Sequence, residues 1–437
     1  MKFFQNITRF QRIAKEFSWI AVGQFFAILG SLFLLKTLTI SLNPTQFGQF
    51  ALSLTMVGFV NAVLMGGIVN GVARYFSIAV EEENFNQYLK ASFRLIGLVS
   101  FGVSILALLF IIFLYWIGNS KWIGLVLASL IFSILGGYTA FINGIHNAAR
   151  HRSIVAFHTG LDPWIKIFFV ITMVFLFGGS STVVAFSYAF SLFMIVISQL
   201  FYLKRLPKMD GLISAESKNI NWSKKIWSFS WPFIIWGFFG WIQISSTRWA
   251  FQAFGSTADV GYYSVLSQLG YVPIQTIIGI LITFLLPIVY SIAGNGEDEF
   301  RRKDVTKIIN KISFAGLILT ILATLFAFFF HRQIMIILVS EEYWAVSKYL
   351  PILVSAGGVF GIALLIASKY MSFMSVRELM PASIGSSIIG TFAAFIGVYL
   401  YAFTGGAFAM LIHALSYLIM LLMIKPRNRA IEIKNEF

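Results

Sequence analysis

From residue 17 to residue 424 the chain is a succession of long apolar runs separated by short polar turns, and that pattern leaves few folds open. About 20 apolar residues cross the hydrocarbon core as a helix, and lipid offers no partner to an unpaired backbone N–H or C=O. Each run is therefore predicted to be a membrane-spanning helix. Twelve are predicted, over 17–41, 50–73, 93–117, 122–142, 160–178, 182–203, 226–254, 260–292, 311–330, 346–367, 383–402 and 405–424. A composition of 58% hydrophobic and 11% charged residues excludes a soluble protein built round a single core.

An even number of spans puts both termini on one side of the membrane. Lys and Arg choose the side, because short loops rich in them stay in the cytoplasm. Of the 32 basic residues, 26 fall in segments that share a side with the N-terminus, so both termini are predicted to be cytoplasmic. The formal net charge of +15 is mostly this bias and gives no reason to expect nucleic acid as a partner. It does favour membrane lipids with acidic headgroups at the inner face. Residues 1–16 interleave Phe3, Ile7, Phe10 and Ala14 with Lys2, Arg9, Arg12 and Lys15, the pattern of an amphipathic interfacial helix rather than of a cleaved signal. The longest polar stretch, 204–225, is expected to be a cytoplasmic linker between an N-terminal lobe, 17–203, and a C-terminal lobe, 226–424, with 425–437 as a cytoplasmic tail. The chain has no cysteine, hence no disulfide framework and no thiolate chemistry.

The two lobes echo each other. Phe229-Ser230-Trp231 repeats Phe17-Ser18-Trp19 at an offset of 212, Val260-Gly261-Tyr262-Tyr263 follows Phe47-Gly48-Gln49-Phe50 at 213, and Tyr290-Ser291-Ile292-Ala293 follows Phe76-Ser77-Ile78-Ala79 at 214. Three matches in order point to a duplicated unit, and so to an all-α integral membrane protein of two pseudo-symmetric six-helix bundles. The first offset also carries Lys36 onto Arg248.

A charge in the bilayer interior costs roughly 2.5 to 3.5 kcal/mol on insertion scales, so ionisable residues there usually face protein or water. Apart from Arg94, Lys311 and Lys348 at the very starts of their spans, the ionisable residues here are few: Lys36, Asp162, Lys166, Arg248 and His413. Lys36 and Arg248 would approach a cavity between facing lobes from opposite walls and make it attractive to anions. Arginine's planar fork suits phosphate oxygens and lysine acts as a point charge, so the pair suits a pyrophosphate carried on a lipid. The same positions also suit snorkelling to the outer interface.

Gln24, Asn61, Asn70, Gln243, Ser245, Ser246, Gln268 and Gln275 cluster on the first, second, seventh and eighth spans, beside aromatic residues such as Trp241 and Tyr271. Amides and flat apolar rings suit sugars; hydrogen bonding between helices and interfacial aromatic belts account for the same residues. Gln268 and Gln275, seven apart, share a helical face. Asp162 and Lys166, four apart, are expected to pair across one turn, with a coupling role for Asp162 as the sharper alternative. His413 is a second coupling candidate, since it can titrate; hydrogen-bonded packing is the plainer role. Pro232, Gly237, Gly240, Gly270, Pro273, Gly279 and Pro287 mark places where the seventh and eighth spans can bend. There is no Walker loop, no His/carboxylate metal spacing and no nucleophile setting, so no enzyme, cofactor or metal is expected.

Leu42-Asn43-Pro44-Thr45-Gln46-Phe47-Gly48-Gln49-Phe50 in the first loop, Gly71-Val72-Ala73-Arg74-Tyr75 after the second span, Phe141-Ile142-Asn143-Gly144, Ser340-Glu341-Glu342-Tyr343, and Gly405-Gly406-Ala407-Phe408-Ala409 form a further pattern. Together these stretches resemble the bacterial polysaccharide (O-antigen type) flippase family of the MATE-like MOP superfamily. The resemblance implies a flippase of the bacterial cytoplasmic membrane that carries a lipid-linked, undecaprenyl-pyrophosphate oligosaccharide to the outer leaflet by alternating access. It further implies a cationic lumen lined by the first, second, seventh and eighth helices, with Arg74 as a candidate for the cytoplasmic entrance and a downstream polymerase or ligase as a candidate partner. A multidrug exporter of the same superfamily is the nearest rival, but its cationic drugs need acidic residues and the deep charges here are mostly basic. A membrane-embedded glycan polymerase or ligase would need a sizeable outer loop, and the predicted outer loops are short.

Overall fold

A computed structural model of the protein describes residues 2–204, 220–294, 298–373 and 378–424. Most of the expected linker and all of the expected tail lie outside the described residues. The helices are α1 (Lys2–Ser41), α2 (Pro44–Gly58), α3 (Gly66–Glu81), α4 (Phe85–Trp116), α5 (Ile123–Ala148), α6 (Arg152–Phe177), α7 (Ser181–Lys204), α8 (Trp222–Phe254), α9 (Thr257–Ala293), α10 (Glu299–Leu338), α11 (Leu350–Ser372) and α12 (Leu379–Met423). No strand occurs among the described residues. The expected interfacial segment is, from Lys2 on, the beginning of α1 rather than a separate helix. α2 and α3 are one rod, joined by a π-helical stretch, Phe59–Met65, in which each carbonyl reaches one residue further and the helix widens locally.

Ten stretches of the described chain are long and apolar enough to cross a membrane. They fall short of twelve for two reasons. α12 is 45 residues long, and the backbone at Ala402 leaves helical geometry (φ 49°, ψ −131°). Gly397 and Gly405 are in tight contact, Gly390 abuts His413, and Gly385 abuts Met420. On a straight helix at about 1.5 Å per residue the last pair would stand some 50 Å apart. The chain therefore doubles back at Ala402, and α12 is two antiparallel helices, as the sequence anticipates. The other shortfall is α8, which contains Lys224, Lys225 and Arg248 and is not among the ten.

The chain divides into two compact units. Unit 1 comprises Met1–Leu42 and Gln49–Trp241, and unit 2 comprises Asn43–Gly48 and Ile242–Phe437. The division passes through the middle of α8 and sets six residues of the first loop and α2 with the second unit.

In unit 1, α1 lies along α6, where Gly23 meets Ala156 and Gly30 meets Pro163 and Trp164. Small residues replace side-chain bulk with backbone contact, the usual source of adhesion between helices in lipid. α5 and α7 pack together, and the buried core runs from α3 through Tyr88 and Phe141 to Trp222 and Ile226 of α8. The Tyr88 hydroxyl donates to the Val72 carbonyl at 2.6 Å, and the Trp222 ring meets both Tyr75 and Tyr88 edge-on. In unit 2, α11 is the central helix, packed on α9, α10 and α12. Its glycines admit neighbours closely: Gly357 meets Tyr271, Gly358 meets Thr320 and Gly361 meets Ile278. α4 in unit 1 and α10 in unit 2 are the least covered spans, with 11% of the apolar window buried in each, so both turn most of their surface to lipid.

Candidate functional site

Arg248 stands in the last third of α8, half-buried among hydroxyls. Its Nε donates to Ser264 Oγ of α9 at 3.0 Å, and its Nη1 reaches back to the Ile244 carbonyl at 3.4 Å. Ser245, Ser246 and Thr247 on α8 and Tyr263, Ser264 and Ser267 on α9 are all buried around this level. One turn and a half back along α8, Gln243 lies within hydrogen-bonding reach of the buried Tyr271 hydroxyl of α9. Residues 248 and 243 thus face 264 and 271 in antiparallel order, which makes this stretch of the α8–α9 seam polar. Gln268, one turn from Ser264, is half-buried on the same helix. Among the described residues no carboxylate pairs with Arg248. A guanidinium held by neutral hydroxyls keeps its full charge and the outer edge of its fork for an anion.

Lys36 lies in unit 1, half-buried near the end of α1, its carbonyl accepting from Thr39 Oγ1 at 3.1 Å. The two expected anion-binding residues therefore belong to different units. Gln24 is half-buried on α1, and Asn70 and Arg74 are exposed on α3. Asn61 sits inside the π-helical stretch with its amide against Gly136 of α5, and its Oδ1 is buried without a hydrogen-bond partner. Gln275 is committed elsewhere: Nε2 donates to the Gly357 carbonyl at 2.7 Å and ties α9 to α11.

Asp162 and Lys166 pair at 2.6 Å, with side chains 29% and 13% exposed. The ammonium also lies over the Tyr188 ring, 5.0 Å from its centroid, and nearer the edge of reach over Phe132 at 5.8 Å. The pair is thus neutralised internally, although Asp162 Oδ1 keeps no partner. His413 is 2% exposed, and both ring nitrogens lack a hydrogen-bond partner. Its ring is wedged against Gly390 and tilted on Phe360 at 5.6 Å.

Nothing in the sequence marks Thr247 and Ser264 as site residues, and Tyr263 stands out there only through the repeat, since serine, threonine and tyrosine are scattered through the spans and only the pairing of α8 with α9 assembles them. The amide and imidazole chain of unit 1 is equally hidden, apart from Asn143 in the Phe141–Gly144 stretch. Gln199 Nε2 donates to Asn143 Oδ1 at 3.0 Å, His146 Nε2 faces the Gln199 carbonyl at 3.5 Å, and His158 bridges the Ile154 carbonyl (2.8 Å) and Ser198 Oγ (3.0 Å). Among the described residues no group of three His, Asp or Glu side chains is arranged to hold a metal ion.

Two bundles of long apolar helices with an isolated cation on a polar seam make a multi-pass membrane protein of transporter fold. Solved structures of that fold cover nearly the whole chain. Lipid II flippase MurJ in an inward closed conformation matches with a TM-score of 0.68 at 14% identity, over 92% of this chain and 86% of that one. An inward-facing multidrug resistance MATE family transporter of the MOP superfamily gives 0.68 at 14% identity, over 91% and 93%. An outward-facing one gives 0.62 at 14%, over 93% and 94%. No curated protein sequence matches the chain. The chain belongs to the polysaccharide biosynthesis protein family, whose model matches residues 13–293. Family and fold together make it a multi-pass membrane protein of the polysaccharide biosynthesis family with the fold seen in these flippase and exporter structures.

Proposed function

We propose that this protein moves a lipid-linked oligosaccharide, carried on a polyprenyl pyrophosphate, from the inner to the outer leaflet of a bacterial cytoplasmic membrane by alternating access, for assembly of a surface polysaccharide such as O-antigen, capsule or exopolysaccharide. The observation that carries this reading is Arg248, a cation inside a helix bundle with hydroxyls for neighbours and, among the described residues, no carboxylate partner. Keeping a bare charge there costs roughly 2.5 to 3.5 kcal/mol, a cost that a phosphate-bearing substrate would offset. Lys36 is a second cation that the phosphate would meet along its path, and the two compact units are the moving bodies. Gln24, Asn61, Asn70, Gln243 and Gln268 supply amides for the glycan, and Arg74 receives the headgroup at the cytoplasmic entrance. A polymerase or ligase would take the delivered glycan on the other side.

A multidrug exporter is the second reading, because two of the similar structures carry that description. It needs a free carboxylate for a cationic drug, and Asp162, the one deep in a predicted span, already faces Lys166. Transport in proteoliposomes tests the choice. Outer-leaflet appearance of a polyprenyl-pyrophosphate glycan, lost in Arg248→Ala and Lys36→Ala, supports the flippase, whereas drug efflux that survives both substitutions supports the exporter.

A further inference from the structure

Residues Asn43–Gly48 belong with unit 2, although the chain on either side of them belongs to unit 1. Two glycines hold them there. A Cβ added to Gly48 would fall on the carbonyl oxygen of Thr257 and stand 3.1 Å from the Gly261 nitrogen. A Cβ added to Gly261 would fall on the carbonyl oxygen of Pro44 and stand 3.1 Å from the Gly48 nitrogen. The first turns of α2 and α9 therefore meet backbone to backbone, and the contact reads the same from either side. Pro44 to Thr257 and Gly48 to Gly261 are both offsets of 213, the offset of the duplicated motif. Equivalent residues of the two repeats thus contact each other reciprocally, the geometry of a two-fold, self-complementary interface. Phe47 and Tyr262 flank it, each edge-on to Tyr343 with centroids 5.9 and 5.8 Å apart.

A transporter that opens alternately to two leaflets must move its units, and this six-residue piece must then either bend away from its own flank or leave unit 2. Bending is the costly route. The Gly48–Gln49 junction lies inside the unbroken helix α2, and Gln49 accepts from Ser181 of α7 at 2.9 Å, which fixes it in unit 1. Each helical hydrogen bond broken there is lost without a replacement from lipid. At the glycines themselves no side chain interlocks, and close Cα–H to carbonyl approaches are weaker than the N–H to carbonyl bonds of a helix, so that the edge-on contact of buried Phe47 with Tyr343 is the main side-chain contact to part there. The crossing in α8, Trp241–Ile242, differs: beside it Gly240 has nothing within 4 Å of where a Cβ would stand, so that helix has room to flex.

We propose that Gly48 and Gly261 form a latch that parts once in every transport cycle while α8 flexes at Gly240. The proposal rests on the transport reading above. Because the chain has no cysteine, a Pro44→Cys/Thr257→Cys variant carries only two thiols. Spin labels on them, read by pulsed electron resonance in proteoliposomes with and without polyprenyl-pyrophosphate glycan, should show two resolved distance populations, and Gly48→Ala should enrich the longer. Locking the thiols with a short cleavable bifunctional reagent should cut transport at least tenfold, with recovery on cleavage; single-cysteine variants control for the substitutions. One narrow distance under every condition, or full transport with the pair locked, overturns the latch while leaving the flippase reading intact. Two populations in a protein that moves no lipid-linked glycan support the latch and sink the proposed substrate instead.

Discussion

Arg248 is the residue on which the functional proposal can be broken most cleanly. Its Nε is held by Ser264 at 3.0 Å and its Nη1 contact to Ile244 is long at 3.4 Å, so most of the fork's N–H groups have no partner among the described residues. Hydrogen bonds to a charged partner contribute about 1.5 to 3 kcal/mol, and a bidentate phosphate contact sits at the upper end. Loss of about 2.8 kcal/mol corresponds to roughly 100-fold in transport at limiting substrate. Arg248→Ala should therefore transport roughly 100-fold less, and Arg248→Lys, which keeps the charge but loses the fork, roughly tenfold less. Folding should respond in the opposite sense. No ion pair is broken by the alanine change, and the cost of burying the cation is removed, so the melting temperature should stay level or rise. The assay is reconstitution with a headgroup-labelled polyprenyl-pyrophosphate glycan and a membrane-impermeant quencher, at matched protein incorporation. An alanine variant that flips within threefold of the parent refutes the reasoning, and so does one that fails only because it unfolds.

Three further outcomes follow from the same structure. Lys36→Ala should lower transport about tenfold with unchanged incorporation, the value of one point charge on the pyrophosphate. Asp162→Asn should lower stability by about 1 to 2 kcal/mol in thermal melts, the range for a half-buried pair, and combination with Lys166→Met should restore most of it; additive losses would show that the pair is not coupled. Gln275→Leu removes the bond to the Gly357 carbonyl and should cost about 1 kcal/mol of stability while transport stays within threefold, because that amide serves helix packing; a selective loss of transport would return it to the substrate path.

The sequence carried whatever depends on neighbours along one helix. Apolar run length gave the spans, and the spacing of Asp162 and Lys166 gave their pairing, because four residues make one turn. Even the reversal at Ala402 falls at the boundary between the spans predicted over 383–402 and 405–424. What depends on a second helix stayed hidden. Gln268 and Gln275 do share a face by spacing, yet only the approach of α11 at Gly357 reveals that Gln275 is occupied. The hydroxyl setting of Arg248 is split between α8 and α9, sixteen residues apart in the chain at its closest bond. The π-helical widening at Phe59–Met65 leaves no mark in hydropathy, since a residue added to a turn does not change how apolar the run is.

The division of the chain is reciprocal. Trp222 and Ile226, which complete the buried core of the first unit, arrive on the second half of the polypeptide, while Asn43–Gly48, which seats against α9, arrives on the first. Each half thus lends the other a piece it lacks. Two halves expressed as separate polypeptides, cut between residues 204 and 222, would have to exchange these pieces before either could fold, so that assembly of the transporter and folding of its parts are a single event.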